Sequence, residues 1–193
     1  MKNISFGNLF DLVELHHIIR NASEMWWLKE GHLHILCNGY MIWKVALPDD
    51  SSTVGVIRKR FNDREPESDM VLHSKKARKR YDVDETQNKE HLLQLLNTEA
   101  HYSVVDTGIT ADVDDNFDPE KRQIHAFCVA CADATEYIFI NQKYRDCIYQ
   151  PDEIYAVDTK RTSPLIFEGE TPEERAVILP VNTDLPLFLA PLN

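Results

Sequence analysis

Apolar residues recur at helical spacing near the start of the chain. Leu9, Leu12, Val13, Leu15, Ile18 and Ile19, with Ala22 one turn on, predict an amphipathic helix over 8–25, with Asn8 as its N-cap. A short strand at 4–6 is expected to precede it. Met25 to Leu36 reads as a strand interrupted at Lys29-Glu30-Gly31, and 40–47 as its return. Asn38-Gly39 between them predicts a two-residue type I′ hairpin, because both central positions of that turn need positive φ. Residues 58–88 are polar and almost without apolar period, so they read as an inserted loop or a partly disordered excursion. Leu92, Leu93, Leu95 and Leu96 predict a short helix around 88–98. Strands are expected at 101–110 and 123–132, with an acidic turn over 112–119. A short helix is expected within 138–149, capped by Asn141. Strands at 153–158, 165–167 and 175–181 follow, and a tail rich in Pro and Leu begins at 182. In outline this is a βαββ-type pattern occurring twice, a repeat of pattern and not of sequence.

The chain has 193 residues, 43% hydrophobic and 27% charged, which is the balance of a soluble globular protein able to bury its own core. No apolar run approaches the ~18–20 residues of a membrane span. The N-terminus lacks the apolar stretch of a signal peptide, and the four cysteines fit reduced thiols in a cytoplasmic compartment. Formal net charge is −11, but charge is uneven. Between Arg58 and Arg80 nine basic residues face four acidic ones, so this segment is +5 and the remainder −16. Lys75, Lys76, Arg78, Lys79 and Arg80 form its densest part. Two readings stand: a basic patch for phosphates on an acidic body, or a solvated insertion whose charges only keep it soluble.

Enzyme chemistry finds little support. His32 and His34 share one face of a strand and Cys37 the other, so they make no tetrahedral metal set and read as a solvent-side pair. Cys128-Val129-Ala130-Cys131 has no second Cys pair, and buried free thiols are the expectation. Asp106-Thr107-Gly108 has no second aspartic triplet with which to share a proton. The acids from Asp112 to Asp118 lack the Gly and Glu positions of a calcium loop. There is no Gly-rich phosphate loop and no nucleophile elbow. No cofactor or metal is expected, and Trp26, Trp27 and Trp43 read as packing residues.

Two stretches carry a family resemblance. One runs from Leu33 to Val45 through Cys37-Asn38-Gly39-Tyr40-Met41-Ile42. The other comprises Ile140-Asn141-Gln142-Lys143-Tyr144, Pro164-Leu165-Ile166-Phe167-Glu168 and Ala176-Val177-Ile178-Leu179-Pro180-Val181. Together they resemble the bacterial DNA sliding clamp, the processivity factor of DNA polymerase. The first resembles its Thr-Asp-Gly-His-Arg-Leu hairpin, the second its Asn-x-Lys-Tyr-like helix start and closing Met-Pro-Val-like hairpin.

The resemblance implies an α+β fold of two βαβββ-type units with antiparallel sheets: 1–57 and 101–181, a charged insertion over 58–100 that is partly disordered or helical, and a tail over 182–193. It implies helices facing the phosphates of duplex DNA, several copies closing a ring, and no catalysis. The helices would offer Arg20, Lys143 and Arg145, a sparse set, joined by the basic excursion if that faces DNA. Asp184-Leu185-Pro186-Leu187-Phe188 resembles the Gln-Leu-x-Leu-Phe peptide by which replication proteins dock on such a clamp. Leu185, Leu187 and Phe188 would fill a groove, or pack on their own domain. Two functions follow as expectations: a processivity or scaffold factor with sequence-independent DNA contacts, or an interaction module that binds a replication partner through its tail.

Overall fold

The computed structural model describes residues 9–78, 80–113, 122–130 and 135–181. Helix α1, Leu12–Asn21, starts at Asp11, whose carboxylate accepts the Val13 and Glu14 amides. The predicted cap Asn8 lies outside the described residues. Strands β1 (Glu24–Glu30), β2 (Leu33–Cys37) and β3 (Met41–Ala46) form an antiparallel meander. The predicted interruption at Gly31 is the turn between β1 and β2, where its φ is 63°. Helix α2, Ser52–Arg60, is capped by the Ser51 hydroxyl. Then come β4 (Val71–Ala77), β5 (Arg80–Thr86) and α3 (Lys89–Leu96). The chain continues through β6 (Tyr102–Val113), β7 (Arg122–Ala130) and β8 (Thr135–Asn141). Helix α4, Gln142–Arg145, is capped by Asn141 as predicted, and β9 (Glu153–Ala156), β10 (Leu165–Glu168) and β11 (Arg175–Ile178) close the chain.

All strand pairs are antiparallel and join in one order, β5-β4-β1-β2-β3-β11-β10-β9-β6-β7-β8. The class is α+β: one large antiparallel sheet with a few short helices. The order has an internal two-fold character. A helix followed by a three-strand meander occurs twice, α1 with β1–β3 and α4 with β9–β11. The two meanders meet where β3 pairs β11, Trp43 opposite Ala176. Phe10, just before α1, bridges Ile148, just after α4.

Strand alternation puts Met25, Trp27, Leu36, Trp43, Val45, Phe167 and Ile178 on one face, under α1, α2 and α4. It puts Leu28, Ile35, Ile42, Ile166 and Val177 on the other, under Leu92 and Leu96 of α3. The central strands are therefore covered on both sides, which explains their near-continuous apolar runs. It also overturns one expectation. His34 is fully buried beside Trp27, whose indole N–H donates to Nδ1 at 3.2 Å, while His32 is exposed. The Asn38-Gly39 hairpin exists, but its central pair is Gly39-Tyr40. Only Gly39 has positive φ, 86°, Asn38 N–H donates to the Met41 carbonyl at 3.1 Å, and the Asn38 side-chain oxygen accepts the Tyr40 and Met41 amides.

Residues 58–88 differ most from the loop expected of them. They hold the end of α2 and the whole β4–β5 hairpin, which pairs with β1 through Trp26 opposite His73. Edge strand β5 alternates exposed Asp82 and Asp84 with half-buried Tyr81 and Val83, and charges on an edge discourage pairing with another chain.

Candidate nucleic-acid interface

Helices α1 and α2 lie side by side on the sheet. His16 Nε2 is 2.9 Å from Thr53 Oγ1, and seven residues on in both segments Arg60 donates to the Ser23 carbonyl at 3.3 Å, so the two run in the same direction. Their C-terminal ends therefore share one side of the molecule, and the β4–β5 hairpin lies against it. Lys76 N–H donates to the Ser23 carbonyl at 2.7 Å. Lys76 Nζ reaches the Arg20 carbonyl and Asn21 Oδ1, both at 3.4 Å, and the Tyr81 hydroxyl donates to the Arg20 carbonyl at 3.1 Å. These contacts satisfy carbonyls at the negative end of α1, where cations are favoured.

Arg60 anchors the assembly. It is 1% exposed, its guanidinium lies 4.3 Å from the Tyr81 ring centroid, and it donates to the Ser23 and Ser74 carbonyls. Burial lowers its pKa, against the raising influence of Tyr81. Around this anchor the structure gathers exposed Arg20, Lys59, Lys75, Lys76, Arg78 and Arg80. Lys75 faces Glu24 at 3.8 Å and Arg80 faces Asp82 at 3.6 Å. Arg20, Lys59, Lys76 and Arg78 have no carboxylate partner among the described residues. Arg78 is held at the hairpin turn with φ 57°. Lys79 lies outside the described residues, as do Leu185, Leu187 and Phe188.

Lys143 and Arg145 do not join this cluster. They stand on α4, beside β7 and β8. Arg145 is committed to structure: its Nε donates to Asp106 Oδ2 at 2.7 Å and Nη1 to the Ile148 carbonyl at 2.5 Å. Lys143 Nζ lies 4.9 Å from the Tyr144 ring centroid. Asp106, in the Asp-Thr-Gly triplet, occupies the β6 irregularity and also meets His125 Nε2 at 2.5 Å and the Gly108 amide at 2.9 Å. Burial pushes its carboxyl up, but His125, the Gly108 amide and Arg145 outweigh that and hold it below the usual range. Sequence reading missed Arg60 and Tyr81 as the elements that assemble the cluster. A basic residue interrupting the apolar pattern Val54, Val56, Ile57, Phe61 was the available signal.

Among the described residues no group of three His, Cys, Asp or Glu side chains is placed to hold a metal ion, and no helix is long and apolar enough to cross a membrane. Burial raises the pKa of Cys37 and Cys147.

No protein-family model matches the chain, and no curated protein matches it. A solved structure that aligns with it is the beta subunit of DNA polymerase III from Thermotoga maritima, with a TM-score of 0.37 and 12% identity, covering 93% of this chain. The alignment spans 66% of the length of that subunit.

Proposed function

We propose that this chain is a non-enzymatic, clamp-like protein of DNA replication or repair that holds duplex DNA through its phosphates, without reading sequence, and acts as a processivity or scaffold factor in an oligomer. The observation that carries this reading is the set of cations without carboxylate partners among the described residues, Arg20, Lys59, Lys76 and Arg78, gathered where two helices and a hairpin meet on an otherwise acidic body. Phosphate contacts need cations with fixed backbones and no particular side-chain fork, and Arg60 with Tyr81 supplies that fixity here. The twice-occurring helix-and-meander arrangement agrees with the clamp resemblance of the hairpin around Asn38 and of the closing segment 164–181.

The test is fluorescence anisotropy of a labelled duplex across about 50 to 200 mM salt. About four phosphate contacts give a slope of log affinity against log salt near −3.6, and Lys76→Glu with Arg78→Glu should flatten it by about 2. No binding at the lowest salt, or an unchanged slope in the double variant, would sink the proposal.

A further inference from the structure

The opposite end of the α1–α2 pair carries a separate feature. A cleft of about 580 Å³ opens between the N-terminal ends of the two helices, the β3–α2 connection and the loop before β11. Its apolar wall includes Phe10, Leu12, Leu47, Pro48 and Tyr149, and none of its lining residues is basic. Leu12 and Tyr149 are 43% and 61% exposed, and Val13 beside them 73%, so the apolar surface continues out over the lip. The acids here are Asp11 and Glu174 in the lining and Glu14 on the first turn of α1.

Glu174 is the unusual member. It is 4% exposed, and its Oε2 has no hydrogen-bond partner among the described residues. The Leu9 amide interacts with the carboxylate, and Glu170 is the charge that bears on it, with the same sign. Its carboxylate sits in a recess made by Gly169, where a Cβ would come within 2.6 Å of Oε2. A buried carboxylate oxygen without a partner is costly, and a water or a cation is what would satisfy it. Asp11 accepts the Val13 and Glu14 amides and Ser51 the Val54 amide, and with two acids and no base in the lining the cleft favours a cation over an anion.

We propose that this cleft is a docking site for a protein segment that inserts an arginine or lysine, flanked by apolar residues, toward Glu174. Charge complementarity selects the cation, and the wall from Phe10 to Tyr149 takes the apolar flanks. The site is independent of the cations at the other end of the helices and does not rest on the DNA reading.

The experiment is a ¹H–¹⁵N NMR titration of the full chain with a capped hexapeptide bearing one central arginine between leucines and phenylalanine, and with its citrulline counterpart. The arginine peptide should move the amides of Leu12, Thr53 and Glu174 and bind about tenfold more tightly than the citrulline peptide. Glu174→Gln should abolish that preference. Leu12→Lys, at an exposed lip position that the fold tolerates, should weaken the arginine peptide about tenfold and leave the fold intact. Equal affinity for the two peptides, shifts centred away from the cleft, or no shifts at millimolar peptide would each overturn the proposal.

Discussion

His34 shows what burial does to one side chain. Its Nδ1 accepts a hydrogen bond from the Trp27 indole N–H, its Nε2 has no partner among the described residues, and burial, helped by the positive charge of Lys29, lowers its pKa from 6.5 to about 4. The unfolded chain therefore binds a proton near pH 6.5 that the folded chain resists until about 4. The stability that neutral His34 contributes is complete above pH 6.5 and is lost as pH falls toward 4, by roughly 3 kcal/mol at most. Urea midpoints at pH 7 and pH 5 should show a drop that His34→Gln reduces; an equal drop in the variant would refute the assignment. Glu174 has the opposite sign. Burial raises its pKa, so its contribution is complete below the ordinary 4.5 and fades as pH rises through the folded value. Glu174→Gln should then be at least as stable as the parent at neutral pH.

At the scale of elements, two small devices fix how neighbouring elements join. The first is Gly39, where φ is 86° and an added Cβ would meet nothing within 4 Å. Gly39→Ala should therefore cost only backbone strain, about 1–2 kcal/mol, read as a urea midpoint shift with the fold unchanged. The second is the Asp106 junction, which ties β6 to His125 of β7 and Arg145 of α4. Asp106→Asn leaves two cationic or donor groups poorly partnered. Because the junction is partly exposed, the cost should be nearer 2 kcal/mol than the larger penalties of deep ion pairs. Hydrogen exchange should quicken first in α4 and around Gly108; uniform quickening across the sheet would contradict a local role.

For the molecule as a whole, the charge arrangement is polar along the α1–α2 pair. Cations, four of them without a carboxylate partner among the described residues, sit at the C-terminal ends, and acids with an apolar cleft at the N-terminal ends. Light scattering with and without duplex DNA is the decisive whole-molecule measurement. A ring-sized assembly, free or on DNA, is expected if several copies encircle the duplex. A mass of one chain that DNA leaves unchanged would rule out encirclement.

Local signals were legible in the chain itself. Asn141 as a helix cap, turns at Gly31 and Gly39, and the closing hairpin of β10 and β11 all follow from the backbone preferences of a few residues. The α1 boundary was less legible, because Asn8 and Asp11 are equally good caps and only packing of Leu15, Ile18 and Ile19 chooses between their registers. The pairing of β3 with β11 joins segments more than a hundred residues apart, which no local pattern encodes. The β4–β5 hairpin was hidden for the same reason: its strands are mostly polar, and it is held by β1, Arg60 and the end of α1 rather than by its own apolar period. Covering of both sheet faces turned His34 from an expected surface residue into a core one. The candidate interface divides likewise. Composition marked the basic segment, whereas tertiary contacts brought Arg20 to it, turned Arg145 toward Asp106 and left Lys143 apart, because where a cation points depends on which carbonyls and carboxylates the fold places beside it.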